Sequence, residues 1–502
     1  MTGPSGEAPA HAALSRAQRR AVQQLLRIAP VADELGELFT AAGHEIALVG
    51  GSVRDALLDR LGSDLDLTTS ARPTETRRLI SSWADSVWDV GAAFGTIGAT
   101  KGEFHIEVTT YRADAYDPAT RKPDVSYGDS ILEDLLRRDF TINAMAVRLP
   151  SREFTDPFVD PYGGLTDLAR RVIRTPSTPE SSFSDDPLRM LRAARFASQL
   201  DFQVDAAVVA AMTDMADRLA IVSAERVRDE LEKLILSERP RLGLTLLVDT
   251  GLAQRILPEL PALRMEIDEH HRHKNVYEHT LTVLDQTIDL EGRLPTGGPD
   301  LVTRLAALLH DIGKPRTRRF EPGGGVSFYH HDAVGAKLAR KRLTALRFPN
   351  AVVDDVATLV ALHLRFHGYG SGEWTDSAVR RYVRDAGPLL DRLHVLTRAD
   401  STTRNQRKAL ALRQSYDNLE ERIAQLSEQE ELAAIRPDLD GHQIMAVLGV
   451  PPGPVVGRAY RYLMELRLDR GPLPPEVARE ELRRWWADQP EGSARGQPSF
   501  PE

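Results

Sequence analysis

The feature that most constrains the fold is a change of periodicity near residue 180. Before it, short apolar runs alternate with polar residues. Phe104-His105-Ile106-Glu107-Val108-Thr109-Thr110-Tyr111 alternates as a half-buried strand does. Ile46–Val49 is an apolar run ending in Gly50-Gly51, Leu65–Thr69 is a further strand candidate, and Asp139–Arg148 reads as a turn into another apolar stretch. After residue 180 the spacing becomes helical: Leu188, Met190, Leu191, Ala194 and Phe196, then Val227, Leu231, Leu234 and Ile235, then Leu305, Leu308 and Leu309. Breaks fall at Pro258–Pro261, Leu294–Pro299 and Pro322–Gly325, and there is no tandem repeat. The expected class is α+β: an N-terminal mixed β-sheet head followed by all-helical segments.

Composition narrows the chemistry. At 502 residues the chain is long enough for roughly three domains. It has no cysteine, which excludes disulfides, thiolate zinc sites, iron–sulfur ligation and a cysteine nucleophile. The first twenty residues lack an apolar core for a secretory signal, and no run of 18 apolar residues exists. We therefore expect a cytoplasmic protein with no membrane span. The net charge of −9 excludes a wholly basic nucleic-acid binder but not a local basic face.

Leu48-Val49-Gly50-Gly51-Ser52-Val53-Arg54-Asp55 runs from a strand into a helix. Adjacent glycines let backbone amides approach a phosphate without a Cβ in the way, and a helix start adds positive character. Asp64 and Asp66 follow; residues i and i+2 of a strand share a face, so two carboxylates project together while Leu65 and Leu67 turn to the core. Such a pair repels itself unless compensated, and a divalent metal on triphosphate oxygens is the usual compensation.

The run GGSVRDALLDRLGSDLDL resembles the nucleotidyltransferase signature of class II CCA-adding enzymes and bacterial poly(A) polymerases. The resemblance implies that Asp64 and Asp66 hold catalytic Mg2+, that Gly50, Gly51 and Arg54 contact the nucleotide, and that the head is a nucleotidyltransferase. Glu107 is either a third acid near the metals or a surface glutamate. Arg137-Arg138-Asp139-Phe140-Thr141-Ile142-Asn143 resembles the family's ribose-selecting motif, which places Arg138, Asp139 and Asn143 at the sugar. Asp160–Gly164 with Asp167 resembles its flexible third motif.

Asp185-Asp186-Pro187-Leu188-Arg189-Met190-Leu191-Arg192 resembles the base-reading fourth motif, although Asp185 stands where the family usually has Glu. Asp186 and Arg189 lie three apart and share a helix face, which Arg192 and Arg195 extend. A carboxylate accepts from an exocyclic amino group, and a guanidinium donates to ring nitrogens or carbonyls. Such a pair accepts CTP and ATP and rejects UTP and GTP. Arg226 and Glu230 resemble the fifth motif, a buttress for that helix. Val90-Gly91-Ala92-Ala93-Phe94-Gly95-Thr96-Ile97 is like the Gly-x-x-Phe-Gly-Thr pattern of CCA-adding enzymes and unlike the basic run of poly(A) polymerases.

Histidines concentrate between 270 and 367. His279, His310-Asp311 and Asp400 resemble the ligand set of HD phosphohydrolases, with a divalent metal of unspecified identity. His331 and His363 resemble extra ligands of binuclear members, Lys314 is placed to steady a phosphate, and His270, His271 and His273 read as exposed. Arg404, Arg407, Lys408, Arg413, Arg422, Arg458, Arg461, Arg467 and Arg470 recur on the later helices and offer a stripe for an RNA backbone or a solvated face.

The expected layout is a disordered lead-in at 1–25, the head at 26–175 and a helical neck with the nucleotide-reading helix at 176–262. An HD domain follows at 263–404, a helical RNA-binding tail at 405–485 and a disordered end at 486–502. The expected activity is template-independent addition of CCA to tRNA from CTP and ATP. Its rivals are a poly(A) polymerase and an HD phosphohydrolase whose head only binds RNA.

Overall fold

A computed structural model describes residues 30–60, 62–89, 95–112, 127–128, 130–265, 275–322, 325–366, 375–402, 405–430 and 435–490. The 1–25 lead-in, the Val90–Phe94 part of the glycine motif, His270, His271, His273, Arg404 and most of the final stretch lie outside them. The chain divides after Ile256 into two compact units, each described on its own.

The first unit is built on a seven-stranded mixed sheet. Its strands are β1 (Ile46–Val49), β2 (Asp64–Thr69), β3 (Ser86–Trp88), β4 (Thr96–Lys101), β5 (Phe104–Thr110), β6 (Ala146–Leu149) and β7 (Phe158–Val159). Their order across the sheet is β3-β4-β5-β2-β1-β6-β7. β2 pairs antiparallel with β1 and parallel with β5. All four residues of β1 are buried, as a central strand requires. β2 instead alternates at its start, with Leu65 and Leu67 each 1% exposed and Asp64 and Asp66 turned outward. Burying each leucine contributes about 1.5–3 kcal/mol, so a one-residue slip that exchanged leucines for aspartates is strongly disfavoured.

Beyond the sheet, the helix Leu188–Leu200 packs on Ala224–Ile235 and Pro240–Asp249. The approach to the latter is close: a Cβ at Gly243 would lie 2.5 Å from the Ala194 carbonyl, and Gly243 N donates to Ser198 Oγ at 2.8 Å. Phe196 sits among three guanidinium groups, those of Arg54, Arg192 and Arg195, at 5.0, 5.6 and 4.0 Å from its ring centroid. Its quadrupole favours cations over the face and separates three like charges.

The second unit is helical. Val276–Leu290, Leu301–Leu309, His331–Ala345, Asn350–Leu362 and Leu390–Asp400 form its first body. Gln406–Glu430, Gly441–Leu448, Pro454–Arg470 and Pro475–Ala487 follow, the last three around Leu439, Ile444, Leu463 and Leu482. Asp440 and Gln443 close a reciprocal cap at the start of Gly441–Leu448. The buried Arg380 joins the two parts, with a bidentate bond to Glu430 and a bond to the Leu468 carbonyl.

The α+β architecture is as expected, with exceptions after residue 180. Gln203–Val204 pairs parallel with Val172–Ile173, and Arg319–Phe320 pairs antiparallel with Val326–Ser327. Two-residue strands carry too little alternation to register as a period. The last helix runs to Ala487, two residues past the expected end of the tail. Among the described residues no helix is long and apolar enough to cross a membrane.

Candidate active site and histidine centre

In the first unit the site begins at the turn between β1 and the short helix Gly51–Leu57. Gly50 has φ 66°, a left-handed conformation that favours glycine. A Cβ there would also meet Arg138 Nη1 at 2.9 Å and stand 3.7 Å from Asp66 Oδ2. A side chain would thus fill the space in front of the aspartate. Ser52 fixes the neighbouring strand: its hydroxyl accepts from Asp66 N at 2.8 Å and donates to the Asp64 carbonyl at 3.3 Å.

Asp64 and Asp66 project from one face of β2, and Glu107 lies directly across the parallel ladder from Asp66. Solvent reaches Asp66, yet protein surrounds most of it, as at the floor of a cleft. Burial, and then the Asp64 charge, raises its carboxyl above the usual range against the opposing pull of Arg138. Glu107 is raised by partial burial and by the charges of Asp66 and Asp64. Asp64, Asp66 and Glu107 together form a hard-oxygen donor set that fits a divalent cation such as Mg2+.

Behind them runs a hydrogen-bonded chain. Arg54 grips Asp55 with Nε and Nη2 and donates from Nη1 to Asn143 Oδ1 at 2.6 Å. Asn143 Nδ2 donates to Asp139 Oδ1 at 3.0 Å, and Arg192 donates twice to Asp139 Oδ2, at 2.8 and 2.6 Å. Burial alone would raise the Asp139 carboxyl, but Arg192 and Asn143 hold it well below the usual carboxylate range. Arg195 donates to Glu230, whose other oxygen is 3.6 Å from Arg192. Arg138 pairs with Asp134 at 3.1 Å.

Asp186 and Arg189, expected to read the base, are each engaged by other protein groups. Asp186 and Arg189 do not pair through their side chains. Asp186 Oδ1 accepts from Leu188 N at 3.1 Å, capping the helix, and Oδ2 accepts from Arg226 Nη2 at 2.7 Å. Arg189 donates to Ser182 Oγ at 2.9 Å and to the Arg137 carbonyl. The structure brings Gly50, Gly51, Arg54, Arg138, Asp139, Asn143 and Arg192 into one connected group with Asp66. Arg195 faces the Glu230 side of its helix. Ser52 is the member that sequence reading missed, although a serine at the start of that helix was a visible signal.

In the second unit the histidines converge. His279, His310 and Asp400 form one group, and Asp311, His331 and His363 another, the donor atoms of each group lying within 4.8 Å of one another. His279 Nε2 is 3.0 Å from Asp400 Oδ1. Asp311 reaches both groups: Oδ2 is 3.2 Å from His310 Nε2, and Oδ1 is 3.3 Å from His331 Nε2. Three rings are oriented alike. Nδ1 of His310, His331 and His363 faces the carbonyl of Ala307, Phe328 and Val360 at 2.8, 2.8 and 2.6 Å. In the neutral ring this fixes the tautomer that leaves an Nε2 lone pair inward. His310 Nε2 is buried between Asp311 Oδ2 at 3.2 Å and Asp400 Oδ1 at 3.6 Å.

Burial would lower the His310 imidazole, but Asp311, with Asp400, carries it up to about 9. His363 is pushed down to about 4 by burial and by the charge on His310. Burial would raise Asp311, but the charges of His310 and Lys314 bring it far below the usual carboxylate range. A proton on His310 therefore offsets carboxylate charge that a cation would neutralise directly. Inward imidazoles and a doubly reaching carboxylate fit divalent metal. Lys314, expected at a phosphate, donates to Asp311 Oδ2 at 2.8 Å.

Of the stripe arginines, Arg422, Arg467 and Arg470 are paired with Asp376, Asp438 and Glu481. Arg407, Lys408, Arg413 and Arg461 are exposed.

Three family models match in chain order: a poly(A) polymerase head domain over 46–174, a probable RNA- and SrmB-binding site of polymerase A over 201–263, and an HD domain over 276–405. An A-adding tRNA nucleotidyltransferase of Deinococcus radiodurans is 36% identical over 451 residues, 88% of this chain and 96% of that one. A CC-adding tRNA nucleotidyltransferase of Thermus thermophilus is 33% identical over 465 residues, 90% and 96% of the two chains. A CCA-adding enzyme of Streptococcus gordonii is 40% identical over 234 residues, 46% and 56%. The crystal structure of the Bacillus stearothermophilus CCA-adding enzyme in complex with CTP has the same fold, with TM-score 0.59 at 24% identity over 91% of this chain and 94% of that one.

A poly(A) polymerase-type head, an RNA-binding segment and an HD domain define a nucleotidyltransferase acting at RNA ends. More narrowly, the chain belongs to the tRNA nucleotidyltransferase family.

Proposed function

We propose that the chain adds cytidine, cytidine and adenosine in turn to the 3′ end of tRNA, taking CTP and ATP without a nucleic-acid template. The observation that carries this reading is the helix Leu188–Leu200. It begins at Asp186 and Arg189 and is clamped through Arg192 and Asp139 to the chain that ends at Arg54. Use of both nucleotides is supported by near-equal likeness, over 88% and 90% of the chain, to an A-adding and a CC-adding relative.

The RNA 3′-hydroxyl oxygen bonds to the α-phosphorus, the bond to the bridging β-oxygen breaks, and pyrophosphate leaves. Asp64, Asp66 and Glu107 would hold Mg2+, which when bound favours the attacking alkoxide and neutralises charge on the leaving pyrophosphate. Gly50 and Gly51 leave room for the triphosphate, and Arg138 places a cation beside it. Asp139, with Asn143, faces the ribose and shares its carboxylate with Arg192. Asp186 accepts from the base's amino group, and Arg189 donates to its ring edge. Arg192 and Arg195 hold the helix.

A second reading concerns the histidines. His279, His310, Asp311 and Asp400, with His331 and His363, would hold divalent metal for phosphate-ester hydrolysis; the inward Nε2 atoms favour it. With both readings we propose the layout and cytoplasmic location expected from sequence.

The test is to incubate the protein with tRNA lacking CCA, Mg2+ and CTP, ATP or both, then sequence the 3′ ends beside Asp64→Ala. Two cytidines and one adenosine, absent in the variant, are expected. Long adenosine runs without CTP would move the assignment to a poly(A) polymerase. Extension by A alone or by CC alone would move it to a partial enzyme.

A further inference from the structure

We propose that the two-stranded hairpin next to the histidine centre is a docking strip for single-stranded RNA. The segment Lys314-Pro315-Arg316-Thr317-Arg318-Arg319-Phe320 carries four cations before its first acid, Glu321. Glu321 is engaged by the Ser327 hydroxyl. Arg316 and Arg319 are exposed, and Arg318 lies 4.6 Å over the Phe320 ring.

Two aromatics flank the strip. Phe320 and Tyr329 are each 68% exposed, the largest values among the exposed large apolar side chains of the described residues. Tyr329 stands two residues before His331, within about 7 Å along the chain. Between them His330 has φ 62°, a left-handed conformation that residues with a β-carbon rarely adopt. That turn sends Tyr329 to solvent while His331, 9% exposed, enters the metal-type cluster.

Cations beside exposed aromatic rings match a phosphate backbone with unpaired bases. An acidic peptide would satisfy the arginines but not the two rings. A duplex would offer phosphates but keep its base faces stacked. The occupant is therefore a single strand, with bases on Phe320 and Tyr329 and phosphates on Arg316 and Arg319. The inference rests on the reading of the histidine centre only for where the strand leads.

The test uses the full chain, a fluorescent RNA octamer containing 4-thiouridine, photocrosslinking mapped by mass spectrometry, and anisotropy. Crosslinks within 316–330 are expected. Phe320→Ala with Tyr329→Ala should weaken the octamer by about tenfold per ring. Arg316→Gln with Arg319→Gln should lower the salt slope of binding by about 1.4. CCA addition and bound metal should be unchanged in both double variants, which checks folding. Crosslinks elsewhere only, or unchanged affinity in the aromatic variant, overturn the strip. Equal competition by AMP overturns the strand in favour of a mononucleotide. Absent hydrolysis with crosslinks intact would sink the histidine-centre reading and leave the strip standing.

Discussion

Nε2 of His331 and Nε2 of His363 face each other at 3.3 Å, and neither ring is free to turn, because each Nδ1 is committed to a backbone carbonyl. Two lone pairs at that separation need a positive charge between or beside them. Asp311 stands next to both and also reaches His310.

Metal content follows from that geometry. After dialysis the wild-type chain should retain about two equivalents of a transition metal, His363→Ala about one, and Asp311→Asn close to none. Atomic absorption measures this directly. Full retention by Asp311→Asn would remove its bridging role.

Asp66→Asn should abolish nucleotide transfer, by roughly 10³-fold or more, yet stabilise the protein in EDTA near neutral pH. The sign follows from the raised carboxyl. Between the unfolded value of about 3.9 and the higher folded value, the folded state binds more protons, so stability falls as pH rises through that window. Above it the cost is complete, and asparagine avoids it. The melting temperature in EDTA should exceed wild type at pH 7.5, with the gap closing towards pH 4. A lower value at pH 7.5 would contradict the argument.

Arg226 donates to Asp186 Oδ2, so on the proposed reading it positions the carboxylate that meets the base. Arg226→Ala should lower the CTP-over-UTP ratio of kcat/KM by about tenfold, the loss of roughly one charge-assisted bond. Arg226→Lys should recover part of it. A uniform fall in kcat with discrimination intact would instead indicate a structural role.

Glu230 is 4% exposed and holds Arg195, itself 7% exposed. Glu230→Gln removes the counter-charge of a buried guanidinium that keeps its bond to Gln199 and a neutral amide oxygen, and should cost about 3 kcal/mol in chemical denaturation. The double change Glu230→Met with Arg195→Met should recover much of the loss. If the single change leaves the denaturation midpoint in place, the pair carries no weight.

What was legible in the sequence was what local periodicity encodes. Asp64 and Asp66 were placed on one strand face by spacing alone, and the order of His279, His310, Asp311 and Asp400 marked the second centre. Pairings across distance were not legible. Asp186 meets Arg226 forty positions away, and Glu107 meets Asp66 only because β2 and β5 run parallel, a register that neither strand reveals alone. The common orientation of three imidazoles depends on carbonyls of Ala307, Phe328 and Val360, and a backbone oxygen leaves no trace in residue identity.

The β2–β5 ladder has a bearing on how such a chain can diverge. Opposed rungs set the distance from Asp66 to Glu107, whatever the contour length of chain that joins the two strands. The connection from β2 to β3 can therefore differ in length between descendants without disturbing the acid constellation, so long as β4 keeps its own ladder to β5. In a lineage that includes both A-adding and CC-adding relatives, the spacing of the acids is thus tied to a strand register and not to a loop length.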